Sequence, residues 1–400
     1  MKRLIRCPLW VLAGSFLAVL SARPLHAQPA EAFALHDGDR VVWVGDGLIE
    51  RAQHDGSIEL ALTTRWPDRT VTFRNVGWSG DTVFGEARDH YTNPPTAFEH
   101  LIEQITTPRP TVIVFGYGST LAYEGPEALP AFIEGYHPLL DTLAVTGARC
   151  VLLSPIPHEQ RVSPHPQVER LNARLKEARD AIAEFATARG CRFVDLFDGL
   201  QEQYRNQETP LTTNGVHLNE AGYRALAVLL EHALTATPRP AALVMDVSSG
   251  LVEGGSLQGD LDQDGPSYRF ALIPDTLPAD DESGRPLRIA GLPEGTYTLR
   301  ARGEALHTAS AQAWSKGILI HHPAERAQVE ALRRAILEKN QLYFRQYRPQ
   351  NETYLVGFRK YEQGQNAAEL GLLDPLIDEI ENEIGRLRVP RVLVFTLTQE

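Results

Sequence analysis

Between Arg40 and about Thr235, short apolar runs alternate with longer stretches in which apolar residues recur every three or four positions. Val41-Val42-Trp43-Val44, Val71-Thr72-Phe73, Val112-Ile113-Val114-Phe115, Val151-Leu152-Leu153 and Phe193-Val194 are each bounded by turn residues and predict strands. Between them, Phe98, Leu101, Ile102 and Ile105 fall at helical spacing, as do Leu139, Leu140 and Leu143, and then Leu171, Leu175, Ala178 and Ile182. Strand–helix alternation of this kind predicts an α/β fold, a doubly wound parallel sheet with helices on both faces. Asn219 is suited to cap a closing helix whose inward face is Leu226, Leu229, Leu230 and Leu234.

Pro238-Arg239-Pro240 breaks this pattern. Residues 241–320 turn β-like, with Asp/Gly-rich turns, and predict a small β module, either a separate domain or an elaboration packed on the first. The run from Asp260 to Gly265 resembles the start of a calcium loop. It lacks a flanking helix and a closing Glu, and reads as a solvated turn. Residues 325–400 return to a helical pattern, with Val329, Leu332 and Ile336 on one stripe. A second helix opens at Asp374-Pro375 and runs through Ile377, Ile380, Ile384 and Leu387. The polar-aromatic segment from Arg348 to Asn366 can either line a ligand cleft or lock these additions to the main domain.

A length of 400 residues accommodates two domains, or one with a substantial extension. The formal net charge of -12 argues against nucleic acid or anionic lipid as a partner. Residues 1–27 have the layout of a signal peptide: Lys2, Arg3 and Arg6, then the apolar stretch Leu9 to Leu20, then Leu25-His26-Ala27 ahead of cleavage. Export to the periplasm or beyond is therefore expected. No later segment is long and apolar enough to span a bilayer. Of the 3 cysteines, Cys150 and Cys191 would remain after cleavage. They can pair in an oxidising compartment if their strands are neighbours, or stay as two buried thiols. Neither a metal site nor a cofactor is expected.

In doubly wound sheets, ligands bind beyond the carboxyl ends of the strands, at the switch in strand order. There the loops carry Gly45-Asp46-Gly47, Trp78-Ser79-Gly80-Asp81, Gly118-Ser119-Thr120 and Ser154-Pro-Ile-Pro-His158, with Asn214 to His217 able to fold over them. In order and placement these blocks resemble those of SGNH (GDSL-type) hydrolases, over roughly the first half of the mature chain. The resemblance implies a flavodoxin-like SGNH hydrolase fold for residues 34–237, and ester hydrolysis as the family reaction. In that family a Ser attacks, its own N–H, a Gly N–H and an Asn side chain form the oxyanion hole, and an Asp orients a His base. Matched block by block, Gly47 takes the Ser position, Gly80 the Gly, Thr120 the Asn, Asn214 the Asp and His217 the His.

Three of those five positions are substituted. Without a hydroxyl at Gly47 no acyl-enzyme forms there. Losing one oxyanion donor costs on the order of a hundred- to a thousand-fold in rate, and exchanging a triad Asp for Asn roughly ten-thousand-fold. The resemblance therefore implies an impaired hydrolase that acts by binding a ligand, a small molecule or polysaccharide, or a protein partner. Asp46, Ser79, Ser119 and Ser154 are candidate ligand contacts. The alternative is an active esterase or deacetylase that uses a relocated hydroxyl or an activated water with His217, Asp46 or Asp81 orienting the water. A third reading makes the C-terminal modules the working part. His217 can also be a satisfied structural histidine.

Overall fold

Every residue of Val41–Gly45 and of Val112–Gly116 is buried, so these strands must be covered on both faces. The computed structural model describes residues 33–89, 95–235, 237, 239, 242–280, 282–355 and 359–400. Residues 1–27, expected to form the export signal, lie outside them. The first segment runs β1 (Arg40–Gly45), α1 (Gly47–Asp55), α2 (Ser57–Arg65), β2 (Thr72–Asn75), α3 (Ala97–Thr106), β3 (Val112–Gly116), α4 (Ala128–Leu143), β4 (Arg149–Leu153), α5 (Val168–Arg189), β5 (Arg192–Val194), α6 (Leu196–Asn206) and α7 (Glu220–Ala233). All five strands are parallel, in the order β2-β1-β3-β4-β5. This is the flavodoxin-like doubly wound sheet of the SGNH hydrolase fold, with its switch point between β1 and β3.

Strand alternation divides the core between the two faces. Val41, Trp43, Val112 and Val114 pack with Ile49, Leu62, Leu226 and Leu230 on one side. Val42, Val44, Ile113 and Phe115 pack with Leu101, Leu139 and Ile182 on the other. Asn219 caps α7, its side chain accepting from the Gly222 N–H.

The β-rich part contains β6 (Leu243–Asp246), β7 (Val252–Glu253), β8 (Gly255–Leu257), β9 (Asp262–Asp264), β10 (Ser267–Pro274), β11 (Arg285–Ala290), β12 (Thr296–Ala301), β13 (Glu304–Ser310), α8 (Ala311–Lys316) and β14 (Ile318–Ile320). Then follow α9 (Pro323–Tyr347), α10 (Glu352–Leu355), α11 (Lys360–Gln363), a 3-10 stretch Gly364–Leu373, α12 (Asp374–Leu387) and β15 (Leu393–Gln399). β15 corrects the expectation that residues 325–400 are only helical. It lies between β10 and β12, antiparallel to both, in the larger sheet of the β module. Its Leu393, Phe395 and Leu397 fill the same core as Phe270, Leu272, Leu299 and Trp314.

The break at residues 238–240 is not a boundary between independent bodies, and the described residues form one compact unit. Leu60 of α2 packs with Leu277, with Val329, Leu332 and Ile336 of α9, and with Ile380 and Ile384 of α12. Lys339 of α9, fully buried, donates to the Glu59 carboxylate and to the Phe73 carbonyl. Arg239 ties the connection down, donating to Glu231, Ala61 O and Leu277 O.

Candidate active site

The turn after β1 is built on close backbone approach. A Cβ at Gly45 would lie 2.2 Å from the Gly116 carbonyl oxygen, so only glycine lets β1 and β3 meet there. Asp46 follows as the N-cap of α1, accepting from Leu48 N–H. Its other oxygen accepts from the Ser119 N–H at 3.1 Å and the Ser119 hydroxyl at 2.7 Å. One buried carboxylate thus clamps the two loops on either side of the switch point. Burial raises its pKa, against the hydrogen bonds from Ser119 and Leu48. Asp46 and Ser119 are engaged with each other.

Gly47 is the first residue of α1. A Cβ built there would find nothing nearer than the Ser79 hydroxyl, at 3.4 Å. The position has room for a side chain, and Ser79 is its neighbour. Ser79 and Gly80 are exposed. Gly80 has φ +80°, a conformation that favours glycine. The loop carrying them is anchored from below by Asp81, which accepts from Arg88 Nε at 2.8 Å, Tyr117 OH at 3.0 Å and Ala87 N–H. Asp81 is 1 % exposed and held by these protein donors, so it is not placed to orient a water.

The C-terminal additions brace the same loop. Ser79 N–H donates to Glu50, and Glu50 also accepts from Arg348. The Arg348 guanidinium lies 3.8 Å from the centre of the Trp78 ring, and Tyr347 OH donates to Gly77 O. Of the two readings of this segment, its start therefore matches the lock.

Thr120 is half-buried in a short 3-10 turn that begins after Gly118, whose φ is +114°. Ser154 is 1 % exposed, and its hydroxyl accepts from the N–H groups of Leu196 and Phe197. This corrects its expected place among the ligand contacts: it caps α6. The loop Leu211–Leu218 rests on Glu159, a residue the sequence reading did not single out. Its buried carboxylate accepts from Leu211 N–H, Thr212 N–H and the Thr212 hydroxyl. Glu159 directly follows His158 in the loop after β4, and its buried role has no local signature.

On this support Asn214 and His217 face each other. Asn214 Oδ1 accepts from the N–H groups of Val216 and His217, at 3.1 and 2.9 Å. Those two donors orient the amide, so its nitrogen faces His217 Nδ1 at 3.2 Å. The neutral imidazole must then accept at Nδ1 and carry its proton at Nε2. Burial and then Arg51 lower the His217 pKa, favouring that neutral form. Tyr223 OH donates to Leu48 O and ties α7 to the start of α1. The rings of His158 and His165 both lie against Tyr123, which is 55 % exposed. Among the described residues no group of three or more His, Cys, Asp or Glu is placed to hold a metal ion, and no helix is long and apolar enough to cross a membrane.

Residues 44–225 match the family model described as GDSL-like lipase/acylhydrolase, and this part of the chain is a domain of that family. No curated protein matches the sequence significantly. Among solved structures, a gut microbial diltiazem-metabolizing enzyme superposes with a TM-score of 0.72 at 15% identity, covering 94% of this chain and 100% of that one. The fold, additions included, is thus shared with that enzyme. A catalytic mutant of an acetylxylan esterase from Geobacillus stearothermophilus gives a TM-score of 0.41 at 15% identity, covering 50% of this chain and 96% of its own. A hydrolase from the Lake Arreo metagenome in Spain gives 0.38 at 20% identity, covering 50% and 96%.

Proposed function

We propose that this GDSL-family protein is exported, has a disabled ester-hydrolysing site, and binds a small molecule or polysaccharide at the loops around the switch point. The hydrogen bond from Asn214 to His217 Nδ1 carries this reading. A general base must offer a lone pair toward the nucleophile, and a neutral His217 protonated at Nε2 offers a donor instead. The wrong tautomer is the reason a triad Asp-to-Asn exchange is so costly. With no hydroxyl at Gly47, nucleophile and base are both missing. What remains is an N–H donor suited to an acceptor oxygen, such as a sugar hydroxyl or an ester carbonyl. The experiment is treatment of the purified protein with a fluorophosphonate and with short-chain nitrophenyl esters. We expect neither labelling nor turnover above background; a phosphonylated serine near His217 would overturn the reading.

The second reading, an active esterase with a displaced nucleophile, is favoured by one observation. The exposed Ser79 hydroxyl lies 3.4 Å from where a side chain at Gly47 would begin. It requires that Ser79→Ala and His217→Ala each abolish a measurable esterase activity while the fold is kept. Unchanged rates in both variants would eliminate it.

A further inference from the structure

At the opposite edge of the parallel sheet, where its strands begin, β4 and β5 bring two cysteines together. Val151 of β4 pairs with Arg192 of β5, so the residues just before them, Cys150 and Cys191, stand opposite each other on adjacent parallel strands. Adjacent strands lie about 4.8 Å apart. That is inside the Cα separation of roughly 4.4–6.8 Å that a disulfide spans. Both side chains pack on the same face of the sheet, and both are free thiols, half-buried. They line a cavity of about 170 Å³ together with Arg189, which gives a small reagent a way in.

The Arg189 guanidinium lines the same cavity and favours the thiolate form of either sulfur. Arg189 is itself held in place by Asp141 and His137. A thiolate beside a cation with a second thiol in contact is the arrangement of an attacking and a resolving cysteine.

We infer that Cys150 and Cys191 are a redox-active pair that a low-molecular-weight disulfide converts to an intramolecular disulfide joining the starts of β4 and β5. One of the two, as its thiolate, attacks one sulfur of the oxidant, forming a mixed disulfide and expelling one thiolate. The other then loses its proton and attacks the sulfur of the first cysteine, expelling the second. Two protein thiols lose two electrons and two protons, and the oxidant is reduced to two thiols. The link closes a loop containing all of α5, at the sheet edge opposite the Gly47 and Ser79 loops, and does not depend on how that site is read.

The test is peptide mapping of the full chain, undigested disulfides intact, after incubation with oxidised glutathione and alkylation of remaining thiols. We expect a peptide pair joined through Cys150 and Cys191, and a Tm higher by about 5 °C or more that dithiothreitol reverses. Cys150→Ser and Cys191→Ser should each stop at a single glutathione on the remaining cysteine, without an intramolecular link and without the rise in Tm. Recovery of both residues alkylated after oxidation would overturn the pair. The mapping of the unsubstituted chain decides the pairing even if a variant fails to fold.

Discussion

Asn214 turns its amide nitrogen, not its oxygen, toward Nδ1 of His217. The oxygen is already occupied by two backbone donors of the same turn, so the orientation is set locally. A carboxylate at this position would have an acceptor facing Nδ1 and would reverse the histidine's tautomer. Asn214→Asp should therefore raise the His217 pKa by about one unit or more, because a nearby negative charge favours the imidazolium. NMR titration of the imidazole signals measures this, and an unchanged midpoint would contradict the geometry.

The missing nucleophile can be supplied at a position with room for it. Gly47→Ser combined with Asn214→Asp should become labelled by a fluorophosphonate and hydrolyse nitrophenyl acetate at least a hundred-fold faster than the unsubstituted chain. Each single substitution should gain far less, since nucleophile and base act as a unit. A double variant as inert as the parent would show that further positions, Thr120 first, also block the reaction.

His158 is buried beside His165 and His217, and burial, then those two rings, lower its pKa to about 4. Its unfolded value is about 6.5. Between the two the unfolded chain binds the extra proton, so this group's contribution to stability is lost as pH falls from about 6.5 toward 4. After allowance for screening by water the loss is roughly 1–2 kcal/mol. His158→Gln should flatten the fall in denaturation free energy over that interval, measured by urea unfolding at several pH values. An equally steep fall in the variant would assign the acid sensitivity elsewhere.

Arg88 is fully buried and bonds to Asp81, to Gln104 and to the Val76 carbonyl oxygen. Removing one partner of such a pair strands the other charge. Arg88→Met should cost about 3–5 kcal/mol in urea unfolding. A loss under 1 kcal/mol would mean that water replaces the guanidinium.

A chain ending at Thr237 should not unfold cooperatively. It would expose Leu60, which is 0% accessible in the full chain, and would leave buried Glu59 without Lys339. Heating monitored by circular dichroism decides this. A sharp transition in the shortened chain would show that the β and helical additions are separable from the GDSL-family domain.

β1, β3 and β4 are legible because each carries a short run of apolar residues that composition alone sends to the core. Other parts are not. All of Ser57–Arg65, the helix α2, is buried, so it has no amphipathic stripe to read; its surroundings, α7 and α9, come from distant segments. β15 is a seven-residue run at the end of the chain whose partners lie more than 90 residues away. The candidate site divides the same way. Gly47, Gly80, Thr120, Asn214 and His217 can be placed by their blocks, but Ser154 is turned inward to cap α6, and Glu159 has no signature at all.

What the amino-acid order determined by itself is the alternation of strands and helices, the loops that gather at one edge, and the absence of a hydroxyl at Gly47. These depend on periodicity and on which atoms a residue possesses. The tertiary structure decided which polar atoms are already engaged: Asp46 with Ser119, Asp81 with Arg88, Asn214 Oδ1 with its own turn, Cys150 opposite Cys191. A hydrogen bond needs a partner within about 3 Å in a particular direction, and residues distant in the chain reach such positions only once the fold has formed.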